Sequence, residues 1–189
     1  MPLGGGGPRG EDLGRERART GERVHVRAAG RGDGRAEEGA VRSRTTTVEV
    51  TLPARYAYLD LTEELVRAVK DAGVTEGAAI AYCPHTTCAL LVNEWEDGAL
   101  EDFRERLRAL VPDDAYYAHD DLGRRTQNLD EVEERRNGHA HVKAMLLSAS
   151  SQAIPVSGGE PMLGRWQRLF LLELDDPKER RVVFHVFGE

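Results

Sequence analysis

The run Arg181–Phe187 alternates two apolar sets. Val182, Phe184 and Val186 fall on one face, and Val183, His185 and Phe187 on the other. A strand that is mostly apolar on both faces is expected to be covered on both sides. The same period appears earlier with one wet face. Thr46, Val48, Val50 and Leu52 oppose Thr47, Glu49 and Thr51. Tyr56–Leu59 reads as its hairpin partner across a Pro53-Ala54-Arg55 turn.

Between such segments the period changes to that of a helix. Asp60 or Thr62 caps a first helix whose apolar side holds Leu61, Leu65, Val69 and Ala72, and Gly73 ends it. Asp97 caps a second with Leu100, Phe103, Leu107 and Leu110, stopped at Pro112. Asn137 caps a third containing Val142, Met145, Leu146 and Ala149. Ala78–Tyr82, Thr87–Val92, Ala153–Val156 and Trp166–Leu174 complete the strands. Paired strands separated by helices predict an α+β fold with a mixed or antiparallel sheet. Residues 113–138 keep neither period, and a connection that long is usually functional or disordered.

Composition divides the chain of 189 residues in two. Residues 1–42 contain eleven of the 20 glycines, nine Arg and seven acidic residues, with almost no large apolar side chains. Such a segment does not bury enough surface to offset its ordering entropy, so it reads as a disordered tail. It lacks the apolar centre of a signal peptide, and its acidic residues argue against a transit peptide. Residues 43–189 suffice for one domain with a core. That domain holds the acidity of a chain with net charge −7, which disfavours general nucleic-acid binding. No apolar run reaches membrane-spanning length. Two Cys make no disulfide framework, so a reducing, cytoplasmic location is expected.

The chemistry-bearing residues gather first at Cys83-Pro84-His85-Thr86-Thr87-Cys88, then at Asn93-Glu94 and Asp97. Two apolar strands meeting at Pro84-His85 expose polar groups at a strand end, where a rigid scaffold positions them. The two thiols flanking His85 admit a zinc reading, but the spacing is not that of a knuckle, and both also fit as small buried residues. His119 opens the long polar connection. His139 and His141 lie in the first turns of the third helix, about 200° apart. The helix dipole there disfavours an imidazolium and keeps a ligand neutral. His141 is the preferred ligand and His139 its substitute. Together with His85 and His119 it supplies three nitrogens and an open position, the arrangement of catalytic zinc. His85, Glu94 and Asp97 are the candidate catalytic groups, with the carboxylates as general base or Mg²⁺ ligand. Thr86, Thr87, Asn93, Arg125, Asn128, Lys143, Ser150, Arg165 and Gln167 are candidates for binding phosphate or substrate. His185 reads as a satisfied core or interface histidine.

Several of these motifs stand in a familiar order: P-H-T-T-C-A-L-L-V-N-E, Asp97, L-V-P-D-D ahead of Tyr117-Ala118-His119, A-H-V-K-A-M-L-L, I-P-V and L-G-R-W-Q-R-L-F-L-L-E-L-D. From about Thr45 to Glu189 the chain resembles the YjbQ-like family, whose members are usually called secondary thiamine-phosphate synthases. The resemblance implies a compact α+β subunit with a mixed sheet and two or three helices, assembled as a homotrimer. It also implies a histidine-lined site holding a divalent metal, zinc or magnesium, near subunit boundaries. The implied reaction joins a pyrimidine methyl diphosphate to a thiazole phosphate and releases pyrophosphate. Two departures stand out: Arg165 where a G-T-W-Q pattern has threonine, and a longer connection between His119 and His141. Two other readings remain open, a metal-dependent hydrolase with a three-histidine site and a non-catalytic trimer that binds a phosphorylated metabolite.

Overall fold

A computed structural model describes residues 23–27, 41–129 and 135–189. Its strands are β1 (Arg23–Arg27), β2 (Arg42–Thr51), β3 (Tyr58–Asp60), β4 (Glu76–Tyr82), β5 (Cys88–Glu94), β6 (Ser151–Ser157), β7 (Glu160–Pro161), β8 (Gln167–Glu173) and β9 (Glu179–Gly188). The helices are α1 (Thr62–Ala72), α2 (Asp97–Leu110) and α3 (Gly138–Leu147), with a short 3₁₀ turn at Ala118–Asp120. Six strands form one sheet in the order β1-β2-β9-β4-β6-β7, and three form a second in the order β3-β8-β5. Every pairing is antiparallel among the described residues.

The alternation in β2 puts Val48 and Val50 inward, where they meet Val182, Phe184 and Val186 of β9. The inner face of the large sheet packs against Leu65 and Val69 of α1 and against Leu90, Leu169 and Leu171 of the small sheet. The other face of the small sheet contributes Ala89, Leu172 and Leu174 to a second core with Leu107 of α2 and Ala140 of α3. Two-sided burial therefore belongs to β8, whose residues Leu169–Glu173 are all buried, rather than to β9. The second face of β9 is half-buried at Val183 and His185, and Phe187 is 38% exposed. His185 is satisfied there by Thr45 Oγ1 at 2.9 Å from its Nδ1.

Other expectations shift for local reasons. Tyr58–Asp60 is not the hairpin partner of β2. Tyr56 takes φ 64°, turning the chain away, and its N–H donates to Glu173 O at 2.8 Å, so β3 joins the small sheet. The cap of α2 is Glu96, which accepts from Gly98 N and Ala99 N, while Asp97 is the first helical residue. Thr62 N donates to Asp60 Oδ1 at the start of α1, and Gly73 ends that helix at φ 63°. The side chain of Asn137 does not cap α3. Asp120 Oδ1 does so from a distance of seventeen residues, accepting from Asn137 N and Gly138 N. Residues 1–22 and 28–40 of the expected tail lie outside the described residues, as do 130–134 of the long connection. Within the tail, however, Arg23–Arg27 pairs with Thr47–Thr51 of β2, setting Val24 and Val26 opposite Val50 and Val48. Two β-branched residues at period two suit a strand at a sheet edge.

Candidate functional site

Two connections cross from the large sheet to the small one side by side. Cys83–Thr87 links β4 to β5, and Leu174–Lys178 links β8 back to β9. The register explains their adjacency: Cys88 lies opposite Glu173 in one sheet, and Tyr82 opposite Val183 in the other. Arg180 ties the crossings together. Its guanidinium forks onto buried Glu173, with Nε to Oε2 at 2.7 Å and Nη2 to Oε1. Nη2 also donates to Thr87 Oγ1 at 3.0 Å and to Thr87 O at 3.3 Å. Thr87 is therefore an internal anchor rather than a ligand-facing hydroxyl, while Thr86 stays exposed.

His85 sits on this first crossing with its Nε2 accepting from Arg181 N at 2.9 Å. Burial lowers its pKa, and Arg180, Arg181 and Lys178 lower it further. The ring is thus neutral, with its proton on Nδ1. The second crossing reaches α3. Asp175 Oδ2 accepts from Asn137 Nδ2 at 2.8 Å and from Lys178 Nζ. Burial opposes the ionised form of Asp175, but Asn137 and Lys178 outweigh it and hold its pKa at about 2.

One turn into α3, His141 meets His119, with ring centroids 4.4 Å apart. Burial lowers the pKa of His141, and His119 and Lys178 add to the effect. Lys178 therefore bears on both His85 and His141. Arg125 Nη1 lies 3.3 Å from His119 Nε2, and the same side chain donates to Gln127 O and Asn128 O, each at 3.1 Å. Asn128 adopts φ 56° to complete this loop. Ala118, His119 and Arg124–Asn128 line a cavity of about 430 Å³.

Two expected residues, Lys143 and His139, fall elsewhere, and Ser150 meets the crossing only through its backbone. Lys143 is fully buried, donating to Tyr56 OH at 2.6 Å, to Asp113 and to His139 Nδ1 at 3.2 Å. It braces α3 against the Asp113 segment and does not reach a substrate. His139 is 1% exposed inside that cluster, so it is no substitute for His141. Ser150 uses its carbonyl to accept from Cys83 N at 2.8 Å.

Asn93, Glu94, Asp97, Arg165 and Gln167 form a separate group. Glu94 lies opposite Gln167 and Asn93 opposite Arg168, at the far end of β5. The strand from Cys88 to Glu94 spans about 20 Å at the usual rise per residue. Gln167 Oε1 accepts from Gly164 N at 2.8 Å, and Arg165 stacks on Trp166 at 4.6 Å. The set His85, Glu94 and Asp97 is therefore not assembled within one chain. Nor do His85, His119 and His141 meet at one point among the described residues of a single chain. His85 Nε2 is engaged by Arg181 and His119 Nε2 by Arg125, and no three His, Cys, Asp or Glu converge on one point among the described residues.

Sequence reasoning missed Glu173, Asp175, Lys178, Arg180, Asp113 and Asp120. One signal was present: Glu173 interrupts an apolar run and Arg180 opens the next, as a buried charge pair requires.

The profile of the family described as UPF0047 protein YjbQ-like matches residues 46–189. The chain belongs to this family. A UPF0047 protein of Archaeoglobus fulgidus is 39% identical over 138 residues, covering 72% of this chain and 97% of the relative. UPF0047 protein YugU of Bacillus subtilis is 30% identical over 142 residues, covering 75% and 98%. Among solved structures, a protein of unknown function from Sulfolobus solfataricus superposes with a TM-score of 0.69 at 26% identity, covering 79% of this chain and all of that one. A YjbQ/UPF0047 family structure from Clostridium acetobutylicum gives 0.61 at 30% identity, covering 73% and 98%. These UPF0047 relatives fix the α+β fold with its antiparallel sheets. No helix among the described residues is long and apolar enough to cross a membrane.

Proposed function

We propose that the chain binds a phosphorylated small molecule at its sheet-crossing end and acts as a transferase of the thiamine-phosphate synthase type. The observation that supports this most is the cationic surround of His85 and of the His119–His141 pair. Arg125, Lys178 and Arg181 flank these rings, beside a cavity of about 430 Å³. In the proposed reaction, negative charge builds on departing pyrophosphate, so prearranged positive groups lower the barrier. A neutral His141 accepts a hydrogen bond, or takes up a proton and becomes an imidazolium beside the departing anion. A homotrimer is part of the same reading, supported by the half-exposed apolar face of β9 with Val183 and Phe187, which the described residues of one chain leave partly uncovered.

The metal-dependent hydrolase is the second reading. The His119–His141 pair favours it, since two imidazoles at this separation can begin a metal site. A third ligand must then come from water, substrate or another subunit. One experiment separates the readings. Purified full-length protein is incubated with a pyrimidine methyl diphosphate and a thiazole phosphate, alone and together, while pyrophosphate, phosphate and bound metal are measured. Pyrophosphate released only with both substrates supports the synthase. Phosphate released from either one, with stoichiometric zinc, supports the hydrolase. Binding without turnover leaves a non-catalytic carrier.

A further inference from the structure

The two cysteines straddle the crossing that carries His85. Cys83 follows the last residue of β4 in the large sheet, and Cys88 opens β5 in the small one. Both are free thiols, 1% and 3% exposed, and their sulfurs lie 3.2 Å apart. That separation is about 1.2 Å longer than a disulfide bond, so small side-chain rotations close it. We propose that Cys83 and Cys88 form a reversible disulfide, with a hydroperoxide as oxidant, and that the bond restrains the loop holding His85.

The His85 backbone amide and the Arg180 guanidinium both favour the ionised form of Cys83. The Cys88 hydrogen bond, the His85 amide and Arg180 together lower the Cys83 thiol against its burial, whereas Cys83 and burial push Cys88 up. In the proposed order Cys83 is the attacking sulfur and Cys88 the resolving one. The Cys83 thiolate attacks the outer oxygen of the hydroperoxide. The O–O bond breaks, and the leaving oxygen takes a proton to become an alcohol, or water from hydrogen peroxide. Cys88 then attacks the Cys83 sulfenic acid. An S–S bond forms, the S–O bond breaks, and water leaves with the Cys88 proton. Two thiols and one hydroperoxide yield one disulfide, one alcohol and one water. Pro84 and His85 are partly exposed and Thr86 is exposed, which leaves a small neutral oxidant a short path to the sulfurs.

The test uses the full chain treated with hydrogen peroxide under native conditions, then alkylated in denaturant and weighed intact. The expected result is loss of both thiols together, a mass lower by two hydrogens, a peptide linked between Cys83 and Cys88, and full reversal by dithiothreitol. In Cys88→Ser, dimedone should label Cys83 as the sulfenic acid, and amide exchange at residues 85–87 should slow when the wild-type chain is oxidised. Stepwise oxygen addition to one sulfur, a link between two chains, or two thiols that stay alkylatable would overturn the disulfide. Unchanged exchange at 85–87 in the oxidised chain would overturn the restraint on His85.

Discussion

Replacing Lys143 with Met removes one charge from a largely buried cluster. Lys143 is fully buried, and its ammonium serves Asp113, Tyr56 OH and His139 Nδ1 at once. Breaking a buried ion pair from one side typically costs ~3–5 kcal/mol, because the surviving charge is stranded. Asp113 is not wholly stranded. Arg55 remains 3.3 Å from it, and its side chain is 23% exposed, which moves the cost toward the lower end. His139 adds to the loss, since its Nε2 already lacks a protein partner and its Nδ1 would lose one. The expected destabilisation is about 3 kcal/mol, equivalent to a drop in Tm of about 6–12 °C for a domain of this size. Urea unfolding followed by circular dichroism measures it. Adding Asp113→Asn to Lys143→Met should recover at least about 1 kcal/mol, a coupling that only interacting neighbours show. A Lys143→Met protein as stable as wild type, or an Asp113→Asn cost that is the same in both backgrounds, would refute the bracing role.

The remaining predictions concern pH, the loop and the buried ion pair. Asp113 and Asp175 are both held at about 2, so their contribution is present above the ordinary carboxylate value and lost as pH falls through about 2. The lowered histidines His85, His139 and His141 cause an earlier loss, beginning as pH falls below about 6.5. Urea midpoints recorded from neutral to acid should show both phases, and a flat profile would contradict them. Arg125→Ala should weaken pyrophosphate binding by about ten- to a hundredfold, the loss of a charge-assisted bond. It should also speed amide exchange at residues 125–128, where its guanidinium holds two carbonyls. Unchanged calorimetric affinity would make Arg125 a loop brace only. Arg180→Met alone should cost ~3–5 kcal/mol, whereas Arg180→Met with Glu173→Met should fall within about 1 kcal/mol of wild type. Equal losses in the single and double variants would show that the pair is not coupled.

The local periods were legible because each is set by nearest-neighbour geometry. Val48, Val50, Leu65 and Val69 turn inward as the spacing requires, and Gly73 stops α1. What spacing does not reveal is which sheet a strand joins. Tyr58–Asp60 leaves its neighbour β2 for β8 because Tyr56 turns at positive φ, and nothing in the period of two encodes that choice. The site divides for the same reason. His119 and His141 meet because Asp120 caps α3 across the long connection, and Glu94 is carried away from His85 by the length of β5. Lys143 was legible as a cation but not as a buried one, since its partner Asp113 lies thirty residues away.

The Glu173–Arg180 pair also bears on how this sequence is free to drift. Neither residue has a tolerable intermediate by itself, because a change at one leaves a lone charge under the two crossings with Thr87 unanchored. A simultaneous exchange for two apolar residues of similar volume carries no such penalty. Positions 173 and 180 are therefore inherited as one unit and are expected to covary among relatives, appearing either as acid with base or as two uncharged residues, with the mixed states rare.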